Sequence, residues 1–125
     1  MSLDTVRSEF LNHLLEFARA MEPTGPFFLG HEPSLVDFVV APWAVRLWVF
    51  DHFKGGLGMP EPGKGGNDEK GWERFKAWLQ AISARESVRK TTSETDKYLP
   101  IYQRYADDKA QSELAKATRK GQGVP

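Results

Sequence analysis

The stretch Ser34-Leu35-Val36-Asp37, followed at once by Phe38, Val39, Val40, Ala41 and Trp43, constrains this chain more than any other segment. A hydroxyl residue three positions ahead of a carboxylate has the spacing of a capping box. The hydroxyl accepts from the backbone N–H three residues on, and the carboxylate reaches back to the N–H of the first residue. A helix is therefore expected to start at Ser34. The positions after the cap are apolar all round, so a core helix over residues 35–53 is expected, enclosed by other helices. It should kink at about Pro42, whose ring removes one hydrogen bond.

Helical periodicity recurs on either side. From Thr5 to Met21 the apolar residues Val6, Phe10, Leu11, Leu14, Leu15, Phe17, Ala18 and Met21 return at steps of three and four, and Glu22-Pro23-Thr24-Gly25-Pro26 ends the run. Residues 55–68 read GGLGMPEPGKGGND and are expected to form a mobile surface loop, because glycine and proline so dense do not support regular structure. Trp72, Phe75, Trp78, Leu79 and Ile82 then share one helical face, with Glu73, Arg74, Lys76 and Gln80 on the solvent side. Ser83 and Glu86 repeat the capping-box spacing and predict a short helical turn through Thr92. A last helix is predicted from Thr95 or Asp96, with Pro100 close to its start and Tyr98, Leu99, Ile101, Tyr102 and Tyr105 able to dock. Beyond Ala106 the pattern thins, and residues 121–125 read as a frayed tail. No alternating strand pattern and no βαβ rhythm is present. The expected fold is all-α, a single domain over residues 1–120 with about four main helices and one short one.

A chain of 125 residues is long enough for one such core. Seventeen basic residues balance seventeen acidic ones, so the electrostatic excess that draws proteins to nucleic acid or anionic lipid is missing, and neither is an expected partner. There is no cysteine, which excludes disulfides, thiolate metal sites and cysteine nucleophiles in this chain. No apolar run approaches a bilayer span, and Asp4, Arg7 and Glu9 interrupt any signal-peptide pattern, so a cytoplasmic location is expected.

Candidate sites are few. The segment from Gly58 to Gly63-Lys64 has phosphate-loop spacing, but Gly65 follows in place of Ser or Thr, no strand precedes it, and Pro60 and Pro62 have no N–H to offer. His13, His31 and His52 lack ligand spacing, and no metal is expected. Ser34 and Asp37 could be drawn into a hydrolytic triad, yet the cap accounts for both and no catalytic residue is assigned. Trp43, Trp48, Trp72 and Trp78 are expected in the core.

Read as a string, GPFFLGHEPSLVDFVVAPW from Gly25 to Trp43 resembles the signature of the C-terminal helical domain of cytosolic glutathione transferases. WERFKAWLQAISARESV from Trp72 to Val88 is similar to that family's penultimate long helix and the turn after it. The apolar run with Ala41-Pro42-Trp43 and the long last helix look most like the omega-related and fungal branches. Glu86 stands where the family normally has proline, and Pro33 and Phe38 take the places of its hydrophobic staple.

The resemblance implies a transferase-type helical bundle without the thioredoxin-like domain that binds glutathione and acts on its thiol. Full-length relatives conjugate or reduce small electrophiles with glutathione as co-substrate. This chain alone is expected to be inactive, and whether it belongs to an enzyme stays open. By the same analogy Tyr98, Tyr102 and Tyr105 border the substrate pocket. The stretch from Thr5 to Met21 corresponds to the second helix of the family's domain. Loss of the first should uncover Val6, Phe10, Leu14 and Phe17 and favour a two-fold homodimer through that helix. The alternative is a stand-alone interaction module, of the kind that assembles translation factors and synthetase complexes.

Overall fold

The computed structural model describes residues 2–53 and 55–107, and the chain divides into two compact units, residues 1–92 and 93–125. Among the described residues the regular structure is helical; Phe27 and Gly30 form one isolated antiparallel bridge.

In the first unit, α1 spans Leu3–Ala20. Ser2 caps it, its Oγ accepting from the Thr5 backbone N–H at 3.2 Å, while Asp4 in the first turn and Arg19 in the last suit the helix dipole. The chain then folds back on itself, with Glu22 N donating to Phe28 O at 2.8 Å and Phe27 N to Gly30 O at 2.9 Å.

Helix α2 spans Leu35–Ala44, and Ser34 and Asp37 form the expected capping box. The helix is shorter than its apolar run predicts. Pro42 has no N–H for the Phe38 carbonyl, and beyond Ala44 the backbone tightens into three-residue turns, with Arg46 N donating to Trp43 O and Leu47 N to Ala44 O at 3.2 Å each. A single further turn, α3, covers Val49–His52. The expected enclosure also fails on one side. Asp37, Ala41 and Ala44 are buried, whereas Leu35, Val39 and Trp43 are 78%, 60% and 72% exposed.

Residues 55–65 are irregular, as the glycines predict, and Gly66–Asp68 form one 3-10 turn. The segment is tied to the helix that follows. Gly63 N and Gly65 N each donate to the Glu69 carboxylate at 2.6 Å, Lys76 Nζ donates to Pro60 O, and Leu57 is buried. Lys76 is thus half-buried in a contact rather than free on the solvent face.

Helix α4 spans Glu69–Ala84 and supplies the bulk of the core through Trp72, Phe75, Trp78 and Ile82. It lies close against α1: a Cβ on Gly71 would come within 2.8 Å of Leu15 Cδ2. Phe17 meets Trp78 edge-on at 5.1 Å between ring centres and stacks on Phe28 at 5.3 Å. Phe75 lies 5.8 Å from Trp78 and 6.3 Å from Trp72, which completes an aromatic lattice of the kind that adds to area burial. Helix α5, Glu86–Thr91, contributes the buried Val88. Ser83 is not its cap, because Ser83 is still helical inside α4 and Arg85 holds the capping position.

The second unit begins with α6, Thr95–Ala106, which contains Pro100. The expected continuation past residue 107 and the tail at 121–125 lie outside the described residues.

Candidate functional site

Asp37 organises the first unit. Its side chain is wholly buried, and both oxygens are committed. Oδ2 accepts from Ser34 N at 2.7 Å and from Ser34 Oγ at 3.1 Å. Oδ1 accepts from Phe28 N at 2.9 Å and from Trp78 Nε1 at 2.8 Å. Burial pushes the Asp37 carboxyl up, but the donors from Phe28, Ser34 and Trp78 outweigh it and hold the group below its ordinary value. An anion so enclosed by donors is a poor base and has no open face for a substrate. The structure therefore gives Asp37 more than a cap: it joins α2 to the 22–31 turn and to α4.

Arg74, expected on the solvent face, instead clamps that turn. Its guanidinium donates to Glu22 O at 3.0 Å, Pro26 O at 3.1 Å and Phe27 O at 2.7 Å. Burial draws its pKa below the ordinary value, while Asp37 and Glu22 favour the charged form. Nothing in the helical period of α4 distinguishes Arg74 from an exposed basic residue. Three carbonyls presented by the Pro-Gly turn are what hold it.

A separate apolar groove of about 220 Å³ opens where the first turns of α1 approach α3 and the glycine-rich segment. Leu3, Val6 and Phe10 form one wall, and Phe50, Gly56 and Leu57 the other, with Arg7 at the edge. Phe10 and Phe50 face each other at 6.3 Å between ring centres. Gly55 and Gly58, at φ +74° and +82°, turn the chain around Arg7, and a Cβ on either would lie 3.7 or 3.6 Å from its side chain. Arg7 also pairs with Asp4 at 3.0 Å. The lining carries no nucleophile and no general base, so the groove can hold an apolar group but not act on it. Its volume is of the order that accommodates a ring; apolar cavities of about 150 Å³ take up benzene.

Of the residues predicted to border a substrate, Tyr98 and Tyr102 are half-buried neighbours on α6, 6.3 Å apart between ring centres. The Tyr98 hydroxyl accepts from Ser93 N at 2.9 Å. The Tyr105 side chain lies outside the described residues. Of the four tryptophans, Trp72 and Trp78 are in the core as expected and Trp48 is half-buried, but Trp43 is exposed. Among the described residues its side of α2 is exposed, with Leu35 and Val39. Of the α1 residues expected at a dimer face, Val6 is exposed, Phe10 half-buried, and Leu14 and Phe17 pack against their own core.

Among the described residues, no group of three or more His, Cys, Asp or Glu is placed to hold a metal ion, and no helix is long and apolar enough to cross a membrane. No curated protein and no solved structure matches the chain. A family model described as the glutathione S-transferase C-terminal domain matches residues 1–81, a span that includes α1, α2, α3 and most of α4 with Asp37, Arg74 and Trp78. With most of the chain and its central buried anion inside that match, the protein belongs to the glutathione S-transferase C-terminal domain family.

Proposed function

We propose that this chain is the helical, substrate-side half of a glutathione transferase, working in the cytosol on small electrophiles with glutathione as co-substrate. The observation that carries the reading is the family match over residues 1–81. The groove between Phe10, Phe50 and Leu57 supports it, because it offers an electrophile's apolar part a place to sit without any group that attacks it. In this reading the group that lowers the thiol's pKa belongs to a thioredoxin-like partner domain, and these 125 residues are inactive alone. The affiliation with the fungal or omega-like branch rests on the apolar run with Ala41-Pro42-Trp43 and on the long last helix expected from the sequence.

The test is to mix the folded chain with glutathione and an aromatic halide. The expected rate is the uncatalysed one, while the halide itself binds the chain and binds less tightly after Phe10→Ala. Turnover well above background, retained after rigorous purification, would show that the chain carries its own thiol-activating group. A stand-alone assembly module is the second reading, and the bare apolar side of α2 favours it. A thioredoxin-like segment in frame upstream of Met1 decides for the transferase.

A further inference from the structure

Residues 55–66 run as a strap between two sets of turns. Gly55, Gly56 and Gly58 at its near end, and Gly63 and Gly66 at its far end, have φ between +59° and +84°, so both ends are built from the residue that changes backbone conformation most freely. Among the described residues, no backbone N–H from Leu57 to Glu61 donates to another backbone carbonyl, and Pro60 and Pro62 have none to give. Side chains are therefore what hold the strap down.

The near end carries an apolar seal. Leu57 is 8% exposed, yet it stands outside the aromatic core and is buried at the groove, across from Leu3, Val6 and Phe10. The far end carries an ionic latch. Glu69, the first residue of α4, takes Gly63 N on one carboxylate oxygen and Gly65 N on the other, at 2.6 Å each. Hydrogen bonds to an ionised acceptor are roughly twice as strong as neutral ones. The approach is so close that a Cβ on Gly65 would lie 2.5 Å from Glu69 Oε2 and 2.8 Å from Glu69 Cα, which reserves that position for glycine. Between the two ends Lys76 donates to Pro60 O and Met59 packs against the edge of the core.

Seal and latch thus belong to one short segment with glycine at both ends. Local opening of a segment held by so few contacts costs far less than unfolding of the helices beneath it. Because Gly56 and Leu57 line the groove, lifting the strap opens that wall.

We propose that residues 55–66 are a latched strap that closes the groove, with Leu57 as its seal and Glu69 as its latch, and that a small apolar ring enters and leaves when the latch releases. The proposal rests on the groove holding an apolar group, as the transferase reading does, and asks nothing of a thiol-binding domain.

Benzene is the probe, because it is apolar, fits a cavity of this order and needs no glutathione. Its exchange with the full chain is followed on the methyl signals of Leu3 and Val6. Glu69→Gln keeps the side-chain length and one acceptor oxygen but turns an amide donor toward the other glycine N–H. With a charged acceptor lost, benzene should enter and leave about tenfold faster or more. Amide hydrogen exchange should accelerate together at Gly56, whose N–H donates to Phe53 O at 3.4 Å, and at Gly63 and Gly65, while amides in the middle of α1 keep their native rates. Leu57→Ala removes the seal and leaves the latch, so benzene exchange should accelerate while Gly63 and Gly65 stay protected. Native benzene rates after either substitution, or acceleration confined to Gly63 and Gly65 in Glu69→Gln, would overturn the strap alone. Benzene absent from the groove in all three chains would overturn the strap and the groove's part in the transferase reading together.

Discussion

Trp78 Nε1 donates to Asp37 Oδ1 at 2.8 Å, so a tryptophan of α4 and the capping carboxylate of α2, 41 residues apart in sequence, meet in a contact closed to solvent. A buried anion is tolerated only when its lone pairs are filled, and an indole is one of the few side chains that brings a donor together with a large apolar body. Trp78→Phe keeps most of the body and removes the donor. It should destabilise the fold by about 1–3 kcal/mol, read from urea midpoints. Ser34→Ala should cost about 0.5–2 kcal/mol as a lost cap. Asp37→Ala should cost more than Ser34→Ala, because it also leaves Phe28 N and Trp78 Nε1 without their acceptor. Equal losses for the two alanine variants would mean that Asp37 does no more than cap.

Acid should expose the same carboxylate. Its folded pKa lies below the ordinary aspartate value of about 3.9. The stability it contributes is therefore fully present above that value and is lost as pH falls through the lowered folded value. Unfolding free energy measured from pH 6 downward should drop below about pH 4 more steeply in the native chain than in Asp37→Asn. Parallel curves would assign the acid sensitivity to other groups.

Arg74 holds three backbone carbonyls of the 22–27 turn with one planar group. A lysine ammonium keeps the charge but cannot span that fan of acceptors. Arg74→Lys is expected to lose about 1–3 kcal/mol, and hydrogen exchange at Phe27, Phe28 and Gly30 should accelerate more than exchange in the middle of α1. Uniform acceleration would indicate global unfolding and no local clamp.

Two glycines separate backbone conformation from space. Gly25 and Gly63 have φ of +92° and +82°, but a Cβ on Gly25 would lie 2.4 Å from Gly30 C and 2.5 Å from Gly30 O, whereas Gly63 faces open space. Gly63→Ala should cost about 1–2 kcal/mol, the ordinary penalty of the left-handed region. Gly25→Ala should cost clearly more, since backbone must move as well. Calorimetric midpoints of the two variants give the comparison.

Much of the helical frame is legible in the sequence because it rests on local rules. Ser34 and Asp37 announce the start of α2, and Trp72, Phe75, Trp78 and Ile82 announce the buried face of α4. What escaped depends on partners distant along the chain. Nothing near Arg74 shows that a Pro-Gly turn 47–52 residues earlier will present three carbonyls to it. A helix that is apolar all round after its cap, such as α2, does not say which side will find a neighbour, so Trp43 reads as core and is bare. The Ser83–Glu86 spacing mimics a cap because its geometry is void when the first residue is already helical. The groove combines side chains from residues 3–10 with others from 50–57, which no periodicity links.

The central claim is that this chain holds the helical side of a transferase site and leaves thiol activation to another domain. Ionisation of the glutathione thiol, followed by thiolate absorbance across a pH titration with the folded chain in excess, tests it most directly. The expected midpoint is that of glutathione alone, near the ordinary thiol value of about 8.5. A midpoint lowered by about one unit or more, a tenfold shift in ionisation, would contradict the claim and require a thiol-binding group within these 125 residues.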